Sequence, residues 1–210
     1  MSSITLYHFP KSSCSRKVVF VLAHKALVYD EVIINLERRE QKSAEFVTLN
    51  LHGQVPVLKY LDAVIYDSAV INEFLEEQFP TRPLLPTEPV QRARVRMSTL
   101  YADQEFYPHI SRILREFRKP PEQRNQEWIG DELNKFQSNG LSYLESSLQE
   151  QQGTFLFGQL TLADIAYAPG LDTLLRASGL TLDAYPAIQQ WFKEMTRLPA
   201  FEKTLPFALA

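Results

Sequence analysis

The sequence predicts an α/β domain with a four-stranded mixed sheet, in the order βαβαββα, followed by an all-α domain. Three observations predict it. Residues 1–80 mix a two-residue strand period with a helical one, four prolines fall in ten residues from Pro80 to Pro89, and the chain beyond them is patterned almost entirely for helix.

Ile4 to Phe9 alternates and is rich in β-formers, so it predicts a strand. After Pro10-Lys11-Ser12-Ser13, the stretch from Arg16 to Ala26 is apolar and long enough for a buried helix. Tyr29 to Leu36 returns to strand character. A short helix over Lys42 to Leu49 leads to the turn Asn50-Leu51-His52-Gly53. Val57 to Tyr60 and Val64 to Tyr66 form a hairpin across Leu61-Asp62-Ala63. Asp67-Ser68 then opens a helix with Ile71, Phe74, Leu75 and Phe79 at helical spacing, ended by Pro80. A parallel pair from the first βαβ unit, joined to this hairpin, gives the mixed sheet.

The proline cluster is a stiff connector, so the boundaries read 1–80 for the first domain, 81–89 for a proline-rich linker and 90–210 for the helical domain. Within the last, Val90 to Phe117 reads as one long helix that Pro108 should kink or break. Pro120-Pro121 forces a further break, and Glu122 to Gln149, Thr161 to Ala177 and Tyr185 to Thr196 supply three more helices. Thr161-Leu162-Ala163-Asp164 is a capping box, with Leu160 and Ile165 as its hydrophobic staple; its role is structural.

Composition excludes several classes of function. A net charge of −3 gives no basic face for nucleic acid or an anionic membrane, and Arg112, Arg115, Arg118 and Lys119 share one helix face that reads as solvated. Cys14 is the single cysteine, so no intramolecular disulfide forms. The start MSSITLYHFP is no secretory signal, and no run of roughly eighteen apolar residues exists to span a membrane. A cytoplasmic location is expected. The histidines, His8, His24, His52 and His109, lack metal-ligand spacing, so no metal is expected. A G-x-S-x-G elbow and a Gly-rich phosphate loop are both missing, which argues against a serine hydrolase and a nucleotide enzyme.

Three segments come together at one end of the predicted sheet: Ser12-Ser13-Cys14-Ser15, Gln54-Val55-Pro56 and Asp67-Ser68. In that order, with N-x-x-G-Q-V-P before the hairpin and L-T-L-A-D-I in the helical half, the chain resembles the cytosolic glutathione transferase superfamily along essentially its whole length. The resemblance implies a thioredoxin-like first domain, glutathione as co-substrate, and a homodimer. The serine-type classes (theta, zeta, phi and tau) place a catalytic Ser six residues before a Val, which selects Ser12 with Val18. Ser12-Ser13-Cys14 is similar to the zeta motif, with Arg16 where zeta has Trp.

The chemistry fits those residue types. A free thiol titrates near pH 8.5, so little of it is thiolate at neutral pH. Lowering that value by about two units requires roughly 2.7 kcal/mol of preferential thiolate stabilisation. A serine hydroxyl is too weak an acid to become the base, but it donates a hydrogen bond to a sulfur anion, and a helix start adds its dipole. Read alone, Ser12 is an ordinary helix cap. The register of the other two segments is what makes it the catalytic candidate. Ser13 is its neighbouring rival, and Cys14 is either a small buried hydrophobe or a thiolate capable of disulfide exchange.

The resemblance further implies a cis peptide at Val55-Pro56, with Val55 pairing to the cysteinyl backbone and Gln54 supplying an amide. It assigns Asp67 to the γ-glutamyl ammonium, Ser68 to the γ-glutamyl carboxylate, and Lys42 with Gln41 to the glycyl carboxylate. The second substrate is expected to be electrophilic and partly apolar, in a pocket between the domains walled by Phe9, Phe106, Tyr107, Ile110 and the C-terminal Phe207. For each of these, filling the core is the alternative. The expected activity is conjugation of the glutathione thiolate to the electrophile. A non-catalytic glutathione-binding scaffold, a Cys14-based thiol transferase and a glutathione-dependent isomerase are the other readings.

Overall fold

The computed structural model describes residues 3–151 and 153–206. The chain divides into two compact units, the first made of residues up to Pro83 together with those from Leu198 onward, the second of Leu84–Arg197.

In the first unit the strands are β1 (Ile4–His8), β2 (Asp30–Ile33), β3 (Val57–Tyr60) and β4 (Ala63–Tyr66), in the spatial order β2-β1-β3-β4. β1 runs parallel to β2 and antiparallel to β3, and β3 is antiparallel to β4. This is the expected four-stranded mixed sheet. Ala63 already pairs with Tyr60, so the hairpin turn is only Leu61-Asp62, one residue shorter than the sequence suggested. Burial alternates along β1, with Ile4, Leu6 and His8 inward, as the pleat requires. His8 Nε2 lies 2.7 Å from Glu31 Oε1 on β2, and burial holds the imidazole below its ordinary pKa although Glu31 pulls the other way.

Helix α1 (Ser13–His24) and α3 (Ser68–Gln78) are in mutual contact, and α2 (Ala44–Leu49) follows a short 3₁₀ turn over Glu40–Lys42. Lys25, just past α1, is buried; its Nζ sits 2.6 Å from Glu76 Oε2 and donates to the carbonyls of Phe79 and Thr81. A buried lysine persists only when paired and hydrogen-bonded in this way. It ties the end of α3 to α1.

The second unit is all helix: α4 (Pro89–Tyr101), α5 (Tyr107–Phe117), α6 (Gln126–Lys135), α7 (Ser142–Gln149), α8 (Leu162–Ser178) and α9 (Pro186–Thr196). Pro108 does not break the helix in which it was expected to act. A π-turn over Ala102–Phe106 joins α4 to α5, with the Tyr107 N–H reaching back five residues to the Ala102 carbonyl. The widened turn sits immediately ahead of the proline, whose missing N–H it accommodates. A second π-turn, Phe136–Leu141, joins α6 to α7. The two turns meet through the rings of Phe106 and Phe136, 4.9 Å apart, and a Cβ on Gly140 would come within about 3.0 Å of Phe136 and 3.2 Å of Phe106.

The capping box starts α8 as expected. Asp164 is fully buried, its Oδ2 accepting from the Thr161 N–H and hydroxyl and its Oδ1 from the Leu156 N–H and the Trp191 indole, each at 2.9 Å. One carboxylate thereby fixes a helix start, a loop and α9.

The boundary expectation needs adjustment at the C-terminus. Residues 198–206, read as part of the 90–210 domain, group with the first unit, and α10 (Pro199–Glu202) packs on α1. The Arg16 guanidinium lies 5.7 Å over the Phe201 ring, and its Nη2 donates to Thr204 Oγ1 at 3.4 Å. A cation in a buried helix position is thus accommodated by an aromatic face and a hydroxyl from the C-terminal segment. No helix among the described residues is long and apolar enough to cross a membrane.

Candidate active site

The site begins at the turn after β1. Phe9 accepts from the Ser12 N–H at 2.9 Å, and its own N–H donates to Ser15 Oγ at 3.3 Å, so the chain enters α1 along a fixed path. Ser12 is the N-cap: its Oγ accepts from the Ser15 N–H at 3.3 Å. That bond uses a lone pair and leaves the hydroxyl proton to be donated elsewhere. Cys14, at the second helical position, is half-buried.

A cavity of about 300 Å³ opens in the first unit, lined by Cys14, Asn50, His52, Gln54, Val55, Pro56, Tyr66, Asp67 and Ser68. Cys14 of the first segment singled out in the sequence, Gln54-Val55-Pro56 and Asp67-Ser68 therefore border one space, while Ser12, Gln41 and Lys42 are not among its lining residues. Val55-Pro56 is cis, as the resemblance implied.

The loop before Val55 is held by Asn50, a residue of the motif to which the sequence assigned no role. Asn50 is buried, donates from Nδ2 to the Gln54 carbonyl at 2.9 Å, and accepts the His52 N–H on Oδ1 at 3.0 Å. A polar residue fixed three positions before the glycine of N-x-x-G-Q-V-P was the available signal. Gly53 has φ +56°, and a Cβ there would come within 2.6 Å of the Gln41 carbonyl oxygen and 2.8 Å of Lys42 Nζ. Gly53→Ala is expected to destabilise the protein by about 2 kcal/mol and to weaken ligand binding at the cavity. Urea midpoints and calorimetric titration with glutathione check it.

Across the cavity, Asp67 adopts φ +73°, ψ +124°, a region sparsely used by side-chain-bearing residues. Its Oδ1 caps α3 by accepting the N–H groups of Ala69 and Val70, at 2.9 and 3.3 Å, and Oδ2 takes neither bond. Ser68, the first helical residue, is buried beside it, with its N–H at a position that has no intrahelical acceptor. A carboxylate and a helix start are thus placed side by side, suited to an ammonium and a carboxylate on one ligand.

Two family models match the chain, one described as Glutathione S-transferase, N-terminal domain, over residues 11–78, and one as Glutathione S-transferase, C-terminal domain, over residues 106–199. The chain belongs to the glutathione S-transferase family. It is 33% identical to the maleylacetoacetate isomerase of Mus musculus, over 96% of this chain and 91% of that one. It is 29% identical to Glutathione S-transferase Z2 of Arabidopsis thaliana, over 98% and 92%. A solved structure described as maleyl pyruvate isomerase, a bacterial glutathione S-transferase in the zeta class, is 30% identical, with a TM-score of 0.84 and 96% of each chain covered. The thioredoxin-like first domain and the helical second domain are the fold of this family of glutathione-dependent enzymes.

The remaining residues expected at the site fall into two groups. Lys42 stands near the Gln54 loop, its Nζ donating to the His52 carbonyl at 2.8 Å, while Gln41 Oε1 is buried and accepts no hydrogen bond. The aromatic walls expected for a second-substrate pocket mostly take the core alternative. Phe106 is 1% exposed, edge-on to Phe136 and Tyr167, Ile110 is fully buried, and Phe9, the residue after β1, is buried; Tyr107 is half-buried. Helical spacing could not separate core from pocket, because both demand apolar side chains on an inward face. Phe207 lies outside the described residues.

Proposed function

We propose that this enzyme binds glutathione in the cavity beside Val55-Pro56 and uses its thiolate as a nucleophile on an electrophilic, partly apolar small molecule. The observation that supports this most is the convergence of Cys14 in the first turn of α1, Gln54-Val55-Pro56 and Asp67-Ser68 on one cavity. Ser12 donates its hydroxyl proton to the sulfur as a hydrogen bond, and the start of α1 adds its dipole. Val55 pairs with the cysteinyl backbone like an added strand, and Gln54 supplies an amide. Asp67 Oδ2 takes the γ-glutamyl ammonium, Ser68 the γ-glutamyl carboxylate, and Lys42 with Gln41 the glycyl carboxylate. In conjugation the sulfur lone pair forms a C–S bond while the leaving group departs with its electron pair.

A second reading is favoured by the names of the isomerase relatives. There the thiolate adds to a cis double bond, the resulting single bond rotates, and expulsion of the thiolate leaves the trans alkene and intact glutathione. Both reactions need the same activated sulfur. The family resemblance implies a homodimer, two-fold pairing being the commonest oligomer, and a single cysteine is compatible with a reducing compartment such as the cytoplasm.

The test is to supply purified protein with glutathione and, separately, a chlorinated nitrobenzene and a cis-configured enedione acid. Conjugation consumes glutathione in step with product, whereas isomerisation consumes none. Retention on a glutathione resin without turnover of either compound would indicate the scaffold reading, and failure to bind glutathione would overturn the proposal.

A further inference from the structure

An open groove of about 790 Å³ lies within the second unit, built from none of the residues assigned to glutathione. Tyr101, Glu105 and His109 form one wall across the first π-turn, and Ser138, Ser142 and Ser146 form the other across the second. The Tyr101 ring stacks on that of Tyr143, with centroids 3.8 Å apart, and joins the two walls. π-turns occur often at functional sites, and Pro108 accounts only for the first, since no proline falls between residues 122 and 168. The second leaves the Gln137 carbonyl to accept from Ser142 Oγ, five residues on, at 3.0 Å.

The lining chemistry says what the groove takes. The other two hydroxyls are spent as that of Ser142 is: Ser138 donates to the Asn134 carbonyl and Ser146 to the Ser142 carbonyl, each at 2.9 Å. A hydroxyl that gives its one proton to its own helix turns only lone pairs outward, so the row accepts and does not donate. Charge points the same way. Glu132 is taken up by Arg112 and His109, whereas Glu105 is exposed and has no cationic partner among the described residues. Outward lone pairs, an unneutralised carboxylate and aromatic faces all favour one guest, a cation with N–H bonds to give. Successive serines stand four residues apart, a rise of roughly 6 Å, close to the separation of two nitrogens across a four-carbon chain.

We propose that this groove binds a linear aliphatic diamine in its doubly protonated form. One ammonium sits between Glu105 and the serine row, and the other lies a turn along, against the tyrosine pair and the next hydroxyl. The site is separate from the thiolate chemistry, so its occupation does not require glutathione.

The experiment is titration of the whole protein with 1,4-diaminobutane, followed by the backbone amide resonances of residues 101–109 and 138–146. Neutral 1,4-butanediol and tetramethylammonium, which has no N–H, are the comparison ligands. Saturable shifts on both walls are expected, with each comparison ligand at least about tenfold weaker. Glu105→Gln is expected to weaken the diamine about tenfold and Ser142→Ala about threefold, both with glutathione affinity unchanged. The absence of saturable shifts, equal binding of tetramethylammonium, or a Glu105→Gln protein of wild-type affinity would each overturn the assignment. Should circular dichroism show that Glu105→Gln has lost its fold, Ser142→Ala decides alone, and no loss of diamine affinity there would overturn it.

Discussion

Ser12→Ala is expected to lower kcat for conjugation about a hundredfold, equivalent to roughly 2.7 kcal/mol, while the affinity for glutathione changes little. The split comes from what the hydroxyl touches. It stabilises the sulfur only when the sulfur is charged, so its removal acts on the reactive state and spares the contacts made by Val55, Asp67 and Ser68. Ser12 also caps α1, and its loss should cost about 1 kcal/mol of stability, which melting curves will register separately from activity. Measuring Ser13→Ala and Cys14→Ser beside it decides between neighbours. Ser13 is buried, whereas Cys14 borders the cavity, so Cys14 is the sharper competitor. A Ser12→Ala protein of normal turnover with an inactive Cys14→Ser protein would move the chemistry to the thiol.

The largest effect on stability is expected at Asp164. Asp164→Ala would leave the Leu156 and Thr161 N–H groups, the Thr161 hydroxyl and the Trp191 indole N–H facing an apolar side chain. Buried donors stripped of their acceptor cost about 1–3 kcal/mol each, and four of them sharing one small void should cost at least about 4 kcal/mol together. Denaturant unfolding followed by near-ultraviolet dichroism, which sees Trp191 directly, checks it. Asp164→Asn keeps the volume and one acceptor oxygen, so about half the loss is expected. A loss below about 1 kcal/mol for the alanine variant would mean that the network is not what fixes α8.

The sheet was legible because its signals are local. Alternation in Ile4 to Phe9, the paired runs around Leu61-Asp62 and the cap at Asp67 each act over a few residues, and the order of the elements leaves few ways to join them. The three site segments, each weak alone, were legible through their order on those elements together with the family resemblance. The cis bond at Val55-Pro56 came only through the family resemblance, since nothing in a Val-Pro dipeptide specifies the isomer. What escaped depends on groups far apart in the chain. Arg16 on α1 looked like a departure from the zeta pattern until Phe201 and Thr204 came to cover it. The capping box was plain, but the bonds from Leu156 and Trp191 to Asp164 were not. Pro108 read as a kink or break because a π-turn leaves no compositional mark.

The most direct measurement is a pH titration of the thiolate absorbance of glutathione bound to the wild-type protein, against free glutathione. Activation by Ser12 and the start of α1 corresponds to a bound thiol that ionises about two units below the ordinary thiol value near 8.5. A bound tripeptide that titrates together with the free one would contradict it, whatever its affinity.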